Sequence, residues 1–140
     1  MGSPNRRGLS VYRQIRNESL VNNNSPHQLI LLVYDALIEK LVRLEVALSE
    51  LEVKPDGGKI FADQLLNIMQ LIQYGLRDSL DFKSGEQVSL SLDKTYVSWI
   101  MTLEFLATSR RPDRLKKLIE AVRQLHDAWK VAFASLSAAE

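Results

Sequence analysis

Apolar residues recur at steps of three and four along most of this chain, which is the spacing of one buried face of an α-helix. The first long pattern spans about residues 26–54, and a second spans about residues 59–80. A third runs over about residues 86–108, and a fourth opens at Pro112 and continues to Leu136. No segment alternates apolar and polar residues with the period of two that marks a strand. The pattern therefore predicts an all-α protein built on four long helices.

Short segments rich in proline, glycine, aspartate or arginine separate the four patterns. They are residues 54–58, 81–85 and 110–112. Helices joined by such short turns run antiparallel to their neighbours, which predicts an antiparallel up-down-up-down four-helix bundle over residues 25–136. Residues 1–24 are expected to form a short, flexible N-terminal arm, and residues 137–140 a disordered C-terminal tail.

The first bundle helix has a recognisable start at Ser25. Its hydroxyl is suited to accept a backbone N–H as an N-cap, and Pro26 presets φ where no donor is needed. Gln28 stands where its side chain reaches back to the cap, which completes a capping box. The sequence thus predicts a helix that begins at Pro26.

This helix carries more apolar surface than one core-facing stripe requires. One stripe has steps of three and four and comprises Ile30, Val33, Leu37, Leu41, Leu44, Leu48 and Leu51. A second stripe lies about 100° further round the helix and comprises Leu31, Tyr34, Ile38 and Val42. Since one bundle core rarely buries both, the second stripe is the candidate contact surface for a partner, and a groove between the second and third predicted helices is the next candidate.

The N-terminal arm contributes further candidates. Val11, Tyr12 and Ile15 fall on one side if the segment makes one or two helical turns. Apolar residues in an otherwise polar, basic tail indicate a contact, so Tyr12 and Ile15 join the candidate surface. Two roles stay open. Either the arm covers an apolar groove that would otherwise invite aggregation, or Tyr12 contacts the bound partner itself.

Composition narrows the function classes. The chain has 140 residues and a net charge of +1, which gives no strong attraction to nucleic acid or acidic membranes. Its 46% hydrophobic content is that of a folded domain, and the lack of cysteine excludes disulfides and thiolate chemistry. No apolar run is long enough to span a membrane and no signal peptide is recognisable, so a cytoplasmic location is expected.

The sequence offers no assembled set of catalytic or metal-binding residues. His27 and His126 are its two histidines, and neither has a glutamate three residues before it, as a di-iron bundle requires. The glycine pair at residues 57–58 lacks the lysine and hydroxyl residue of a phosphate-binding loop. The basic residues of segment 110–117 lack interleaved aromatics and are interpreted as a solvated surface. We therefore predict a protein that is not an enzyme and has no cofactor, no bound metal and no nucleic-acid partner.

Short motifs in a fixed order give the chain a family resemblance. They are Tyr12, the run Ser25-Pro26-His27-Gln28-Leu29-Ile30, Tyr34-Asp35, Leu80-Asp81, Gly85-Glu86, Leu92, Tyr96 and the run Leu125-His126-Asp127-Ala128-Trp129-Lys130. In their order and spacing the chain resembles the flagellin export chaperones, the FliS family, from Tyr12 to about Ser135. It departs from the usual pattern at Ala36, Ser91 and Thr95, where many members have Gly, Asn and Leu.

The resemblance implies a helical bundle that binds newly made flagellin in the bacterial cytoplasm. It implies that the C-terminal segment of flagellin is held, that premature polymerisation is blocked and that the client is delivered to the flagellar type III export apparatus. An export gate component and an anti-sigma factor are further partners to consider. The N-terminal tyrosine of the family implies a client contact for Tyr12.

Two alternatives remain beside this interpretation. In a structural helical-bundle homo-oligomer without a flagellin client, the second stripe would pair with itself. A small bundle enzyme or phosphotransfer protein would use His27 or His126. A chaperone is expected to be a monomer or a weak homodimer, and either a polar or a lateral flagellin fits as its client.

Overall fold

Helices make up the regular structure of the chain. The computed structural model describes residues 7–83 and 85–139, and these residues hold five α-helices and no strand. The helices are α1 Arg7–Val21, α2 Pro26–Ser49, α3 Gly57–Leu71, α4 Glu86–Ser109 and α5 Pro112–Ala139, and a π-helical segment, Ile72–Arg77, continues α3. Residues 1–6 of the predicted arm and Glu140 of the predicted tail lie outside the described residues. The prediction of an all-α fold is confirmed.

Helix α2 begins where its capping signal predicts. The Gln28 backbone N–H donates to the Ser25 hydroxyl at 3.2 Å, and the Ser25 N–H donates to Gln28 Oε1 at 2.7 Å. Pro26 is the first helical residue. The cap satisfies an N–H group that no helical carbonyl reaches, which stabilises the helix by about 1 kcal/mol.

Helix α2 is the central element of the fold and contacts α1, α3, α5 and the π segment. Its first apolar stripe is buried at Val33, Leu37, Leu41 and Leu44, and Tyr34 of the second stripe is buried with it. The other helices complete the core with Phe61, Leu65, Ile68, Leu71, Ile72, Leu76, Tyr96, Trp99, Leu103, Leu106, Leu115, Leu118, Ile119 and Val122. Because α2 has neighbours on several sides, it needs more than one apolar stripe to pack.

Helix α1 is the main departure from the predicted architecture. Where the sequence predicts a flexible arm with a turn or two, residues 7–21 form a 15-residue helix that packs on α2, α3 and the π segment. Gly8 makes this packing close, because a Cβ at that position would lie 2.4 Å from the Asn67 carbonyl oxygen. The Gly8 N–H also donates to Gln70 Oε1 at 3.1 Å. Tertiary packing thus orders a segment whose own apolar pattern is weak.

Helix α5 is also longer than predicted. It extends to Ala139, so residues 137–139, which the sequence assigned to a disordered tail, have a helical backbone. The predicted helix stopped at Leu136 because the apolar repeat ends there. The next residues include two alanines, and alanine continues a helix readily without any apolar partner.

The π segment interrupts the second predicted helix. The apolar pattern is continuous over residues 59–80, but here the Asp78 N–H donates to the Gln73 carbonyl, five residues back, at 3.0 Å. This wider turn changes the direction in which the following side chains point. Arg77 pairs with Asp93 of α4, with Nε to Oδ1 at 2.7 Å and Nη2 to Oδ2 at 3.3 Å. These hydrogen bonds raise the pKa of Arg77 and fix α4 to the end of the π segment.

Candidate client-binding surface

The six contact residues predicted from the sequence do not form one exposed patch. Five are half-buried or exposed, namely Tyr12, Ile15, Leu31, Ile38 and Val42. Val42 is the most open of the α2 residues among them, at 37% exposed, whereas Tyr34 has no exposed surface. A side chain without accessible surface does not touch a partner, so Tyr34 is not retained as a contact residue.

Tyr34 instead belongs to a buried hydrogen-bonded group that joins three helices. Its hydroxyl lies 2.9 Å from the Tyr96 hydroxyl of α4, and Trp129 of α5 donates its indole N–H to it at 3.2 Å. The Trp99 ring meets the Tyr34 ring edge-on, with centroids 6.3 Å apart. Buried polar groups are costly unless paired, and these three satisfy one another. Tyr34 therefore positions α4 and α5 against α2.

The two buried tyrosines give the fold a predictable response to alkali. Burial raises the pKa of Tyr34 and of Tyr96 above the ordinary value of about 10. The folded chain therefore keeps protons that the unfolded chain loses, so the stabilisation is fully present below about pH 10 and declines as the pH rises above it. In this range the free energy of unfolding falls by up to about 1.4 kcal/mol per pH unit for each tyrosine. Urea denaturation at a series of alkaline pH values measures it.

The matched control for this measurement carries Tyr34→Phe and Tyr96→Phe together. It lacks both hydroxyls, so its free energy of unfolding should fall less steeply with pH than that of the wild type. Equal slopes in the two proteins would show that these tyrosines do not carry the effect.

The rest of the second stripe borders α5. Asp35 lies within the stripe, between Leu31 and Ile38, and its Oδ1 is 2.9 Å from His126 Nε2. His126 is mostly buried, and its ring stacks on that of Tyr34 with centroids 6.1 Å apart. The stripe is therefore largely used to pack α2 against α5.

A wider apolar surface lies in a groove between α4 and α5, called the α4–α5 groove below. It encloses about 640 Å³ and is lined by Gln87, Val88, Ser91, Leu92, Thr95, Trp99, Ala121, Gln124 and Leu125. Val88 is 62% exposed. A concave apolar strip between two helices is the geometry that receives the apolar face of a third helix.

Three hydroxyl side chains on this face of α4 donate their protons within their own helix. Thr95 donates its hydroxyl to the Ser91 carbonyl at 3.1 Å. Ser98 and Thr102 likewise donate to carbonyl oxygens about one turn back, at 2.6 and 2.9 Å. Since these protons are used within the helix, the residues act as small, nearly neutral positions. Small side chains also let a second helix approach closely.

A second hollow, of about 290 Å³, lies further along α4 toward its end. Its lining is Met101, Thr102, Phe105 and Arg114. Met101 and Phe105 are exposed, and the Arg114 guanidinium carbon lies 5.9 Å from the centre of the Phe105 ring. Together the two hollows extend from Val88 to Phe105, about 26 Å along α4 at 1.5 Å per residue.

A smaller apolar pocket of about 270 Å³ lies between α3 and α4, where the sequence placed its next candidate groove. Its lining includes Phe61, Leu65, Leu66, Met69, Leu103, Glu104 and Arg110. Phe61, Leu65 and Leu103 are buried, so this pocket offers less accessible apolar surface than the α4–α5 groove.

Sequence reasoning did not find the α4–α5 groove, although a signal for it is present. Ser91, Thr95, Ser98 and Thr102 recur at steps of four, three and four, which places them on one face of α4. By residue type this stripe looks polar and solvated. In the structure, however, the hydroxyls of Thr95, Ser98 and Thr102 donate to backbone carbonyls, which makes these three positions less polar than their residue types suggest.

Comparison with known proteins identifies the family. The family model described as flagellar protein FliS matches residues 8–135. The chain belongs to the FliS family. FliS proteins are non-enzymatic chaperones, so the prediction that this chain is not an enzyme is confirmed.

Relatives are similar to the chain over most of their length. The flagellar secretion chaperone FliS of Escherichia coli is 30% identical over 132 residues, which cover 94% of this chain and 93% of the relative. That of Salmonella typhimurium is 27% identical over 123 residues, covering 88% and 87%. The flagellar secretion chaperone FliSB of Pseudomonas aeruginosa is 27% identical over 123 residues, covering 88% and 93%. The chain is thus a flagellar export chaperone of the FliS type.

Family membership also bears on the alternatives that use the two histidines. His27 stacks on Phe133 with ring centroids 4.3 Å apart, and His126 contacts Asp35. Within residues 7–83 and 85–139, no three His, Cys, Asp or Glu side chains are placed to hold a metal ion. No helix in the described part of the chain is long and apolar enough to cross a membrane. The enzyme and phosphotransfer alternatives are set aside because the FliS family is non-enzymatic.

Proposed function

We propose that this chain binds the C-terminal segment of newly made flagellin in the bacterial cytosol, prevents its premature polymerisation and delivers it to the flagellar type III export apparatus. Its relatives are named flagellar secretion chaperones, which supports the export role. An export gate component is the partner expected at delivery, and an anti-sigma factor is a further candidate partner.

The α4–α5 groove is the observation that supports client binding most directly. A flagellin segment destined for the helical core of a filament has an apolar face that would self-associate in solution. Binding in the groove would bury that face and so keep the segment from self-associating. Ordering a disordered segment costs about 2–5 kcal/mol, which the burial of apolar surface offsets.

Leu31, Ile38 and Val42 are proposed as a second contact for the client. They follow the α2 edge of α5, on which His126 meets Asp35, whereas the groove lies along the α4 edge of the same helix. A client segment longer than one helix would reach both edges of α5.

Helix α1 is proposed to act as a displaceable cover or as a client contact for a part of the client that extends beyond the α4–α5 groove, because α1 packs on α2, α3 and the π segment. The Tyr12 ring packs on the π segment, where its Cδ1 would lie 3.2 Å from a Cβ built on Gly75. Its hydroxyl is 3.4 Å from Ser79 Oγ. Ile15 is half-buried on the same helix. π-Helical turns are rare and recur at functional sites, which favours a role for this contact beyond packing.

Tyr12→Ala and a deletion of residues 1–18 separate the two roles of α1. If α1 only covers the client surface, the deletion tightens flagellin binding and makes the free protein more prone to aggregate. If Tyr12 contacts the client, both changes weaken binding, and we expect this result, with a loss of about tenfold for Tyr12→Ala. Calorimetry with a flagellin C-terminal segment measures the affinities. Unchanged affinity in both variants would remove α1 from the client surface.

Calorimetric titration of the wild type with the C-terminal segment of a flagellin tests the proposed function as a whole. Binding should occur with a clearly negative heat-capacity change, because apolar surface is buried.

Light scattering of the client-free chain tests the alternative of a structural homo-oligomer. A chaperone stays a monomer or weak dimer, whereas large assemblies together with no client binding would favour the oligomer.

A further inference from the structure

An acidic and a basic side chain lie near opposite ends of the α4–α5 groove, Glu86 outside its lining and Arg114 in the lining of the second hollow. Glu86 lies in the first turn of α4, next to Gln87 and Val88 of the groove lining. At the other end, where α4 stops and α5 begins, Arg114 lines the hollow beside Phe105. A ligand that lies along the groove therefore experiences an electric field along its own axis.

The basic end is a cluster of exposed side chains at the start of α5. Arg114 and Lys117 are three residues apart on α5 and therefore neighbours on its surface, and Arg111 directly precedes the helix. Asp113, the acidic residue of this turn, is paired with Arg111 at 3.2 Å. The cluster as a whole keeps an excess of positive charge. Arg114 lines the hollow beside Phe105, and Lys117 lies along α5 between Arg114 and Ala121 of the groove lining.

An α-helix has the polarity that complements this field. Its N-terminus carries about half a positive charge and its C-terminus about half a negative charge. A helix in the groove is therefore favoured with its N-terminus near Glu86 and its C-terminus near Arg114. It would run parallel to α4, and the length of about 26 Å accommodates about 17 residues. Glu104 and Arg110 line the pocket on the other side of α4 and leave this polarity in place.

We propose that the α4–α5 groove receives an amphipathic helix parallel to α4, and that Arg114 and Lys117 bind the C-terminal carboxylate of that helix. The inference rests on the proposed function, in which the occupant is the C-terminal segment of flagellin, and it adds the direction and the anchor. A carboxylate suits a guanidinium, which donates two parallel hydrogen bonds to it. The apolar side chains of Met101 and Phe105 then cover the last turn of the bound helix.

Two versions of one flagellin C-terminal segment test the anchor, the first with a free C-terminal carboxylate and the second with an amide. At low salt, the wild type should bind the carboxylate peptide about threefold to tenfold more tightly than the amide. Arg114→Gln should bring this ratio close to one. Arg123→Gln is the matched control, because Arg123 is an exposed arginine of α5 outside the groove lining, and the ratio should persist in it.

The outcomes separate the inference from the function on which it rests. Equal affinity of the wild type for both peptides would overturn the carboxylate anchor while client binding stands. If neither peptide binds, the proposed function itself fails.

Spin labels give a second readout, which reports the direction of the helix. The chain has no cysteine, so Gln87→Cys and Met101→Cys each provide a single labelling position at one end of the groove. A second nitroxide is placed near the C-terminus of the carboxylate peptide. A helix parallel to α4 brings this label about 20 Å nearer to position 101 than to position 87. The reverse order of distances would overturn the proposed direction.

Discussion

Replacing Tyr34 with alanine is expected to lower the free energy of unfolding by about 3–5 kcal/mol. The side chain is fully buried, so the substitution removes an aromatic ring from the core and leaves a cavity. It also removes the hydroxyl that lies 2.9 Å from the Tyr96 hydroxyl and 3.2 Å from Trp129 Nε1. Small domains have a total stability of about 5–15 kcal/mol, so this one substitution takes a large share of it.

Tyr34→Phe separates the loss of the ring from the loss of the hydroxyl. It keeps the ring and removes only the shared hydrogen-bond partner, so its expected cost is about 1–3 kcal/mol. Urea denaturation followed by circular dichroism measures both variants. A cost below about 1 kcal/mol for Tyr34→Ala would contradict the buried position of the ring.

Gly8→Ala is expected to have the second-largest effect on stability, because α1 approaches α3 through a residue without a side chain. A Cβ there would lie 2.4, 2.5 and 2.8 Å from Asn67 O, Gln70 Cβ and Leu71 N. Overpacking of this kind costs about 1–3 kcal/mol. This cost exceeds the roughly 0.5–1 kcal/mol that alanine gains over glycine inside a helix. Helix α1 should therefore loosen from α3.

Gly58→Ala is the matched control for Gly8→Ala. Gly58 is also helical, but a Cβ there meets no atom within 4 Å, so this variant should gain roughly 0.5–1 kcal/mol. Limited trypsin digestion after Arg13 reports the loosening of α1 and should speed up in Gly8→Ala alone. Unchanged stability and unchanged digestion in Gly8→Ala would contradict the close packing of α1 on α3.

Elements with strong local signals follow directly from the sequence. Helix α2 is the clearest case, because Ser25, Pro26 and Gln28 specify its start through hydrogen bonds within four residues. Helices α4 and α5 also begin at the predicted Glu86 and Pro112. Such signals depend on residues close together in the chain, so no knowledge of the tertiary structure is needed to interpret them.

The exposure of a stripe depends on the neighbours of its helix, which the sequence of that helix does not specify. Tyr34 faces a core because α4 and α5 both reach it, through Tyr96 and Trp129. Helix α1 is ordered by contacts such as that from Gly8 to Gln70, 62 residues apart in the chain. These contacts join residues far apart in the chain, so no short sequence pattern indicates them. For that reason the second stripe of α2 was interpreted as exposed surface.

The α4–α5 groove and the π segment were missed for other physical reasons. Thr95 and Thr102 count as polar residues by composition, yet their hydroxyls are bonded to their own helix. In the π segment the hydrogen bond from the Asp78 N–H reaches back five residues instead of four, while the apolar pattern of the sequence continues unbroken across it. The sequence shows Gly75 within this segment, but only the structure shows that the Tyr12 ring packs against it.

A matched pair of variants on α4 tests most directly whether the α4–α5 groove holds the C-terminal segment of flagellin. Val88 and Leu90 are both apolar, and they are 62% and 45% exposed two residues apart on the same helix. Val88 lines the groove and Leu90 does not. Val88→Glu and Leu90→Glu therefore make the same chemical change inside and outside the groove, and both should leave the fold intact because neither position is buried.

Calorimetric titration of each variant with the flagellin C-terminal segment is the deciding measurement. Val88→Glu should weaken binding about tenfold or more, because a bound helix would cover the new carboxylate and remove it from water. Leu90→Glu should bind as the wild type does. If the two variants bound flagellin equally well, whether both as tightly as the wild type or both more weakly, the client would not lie in the α4–α5 groove.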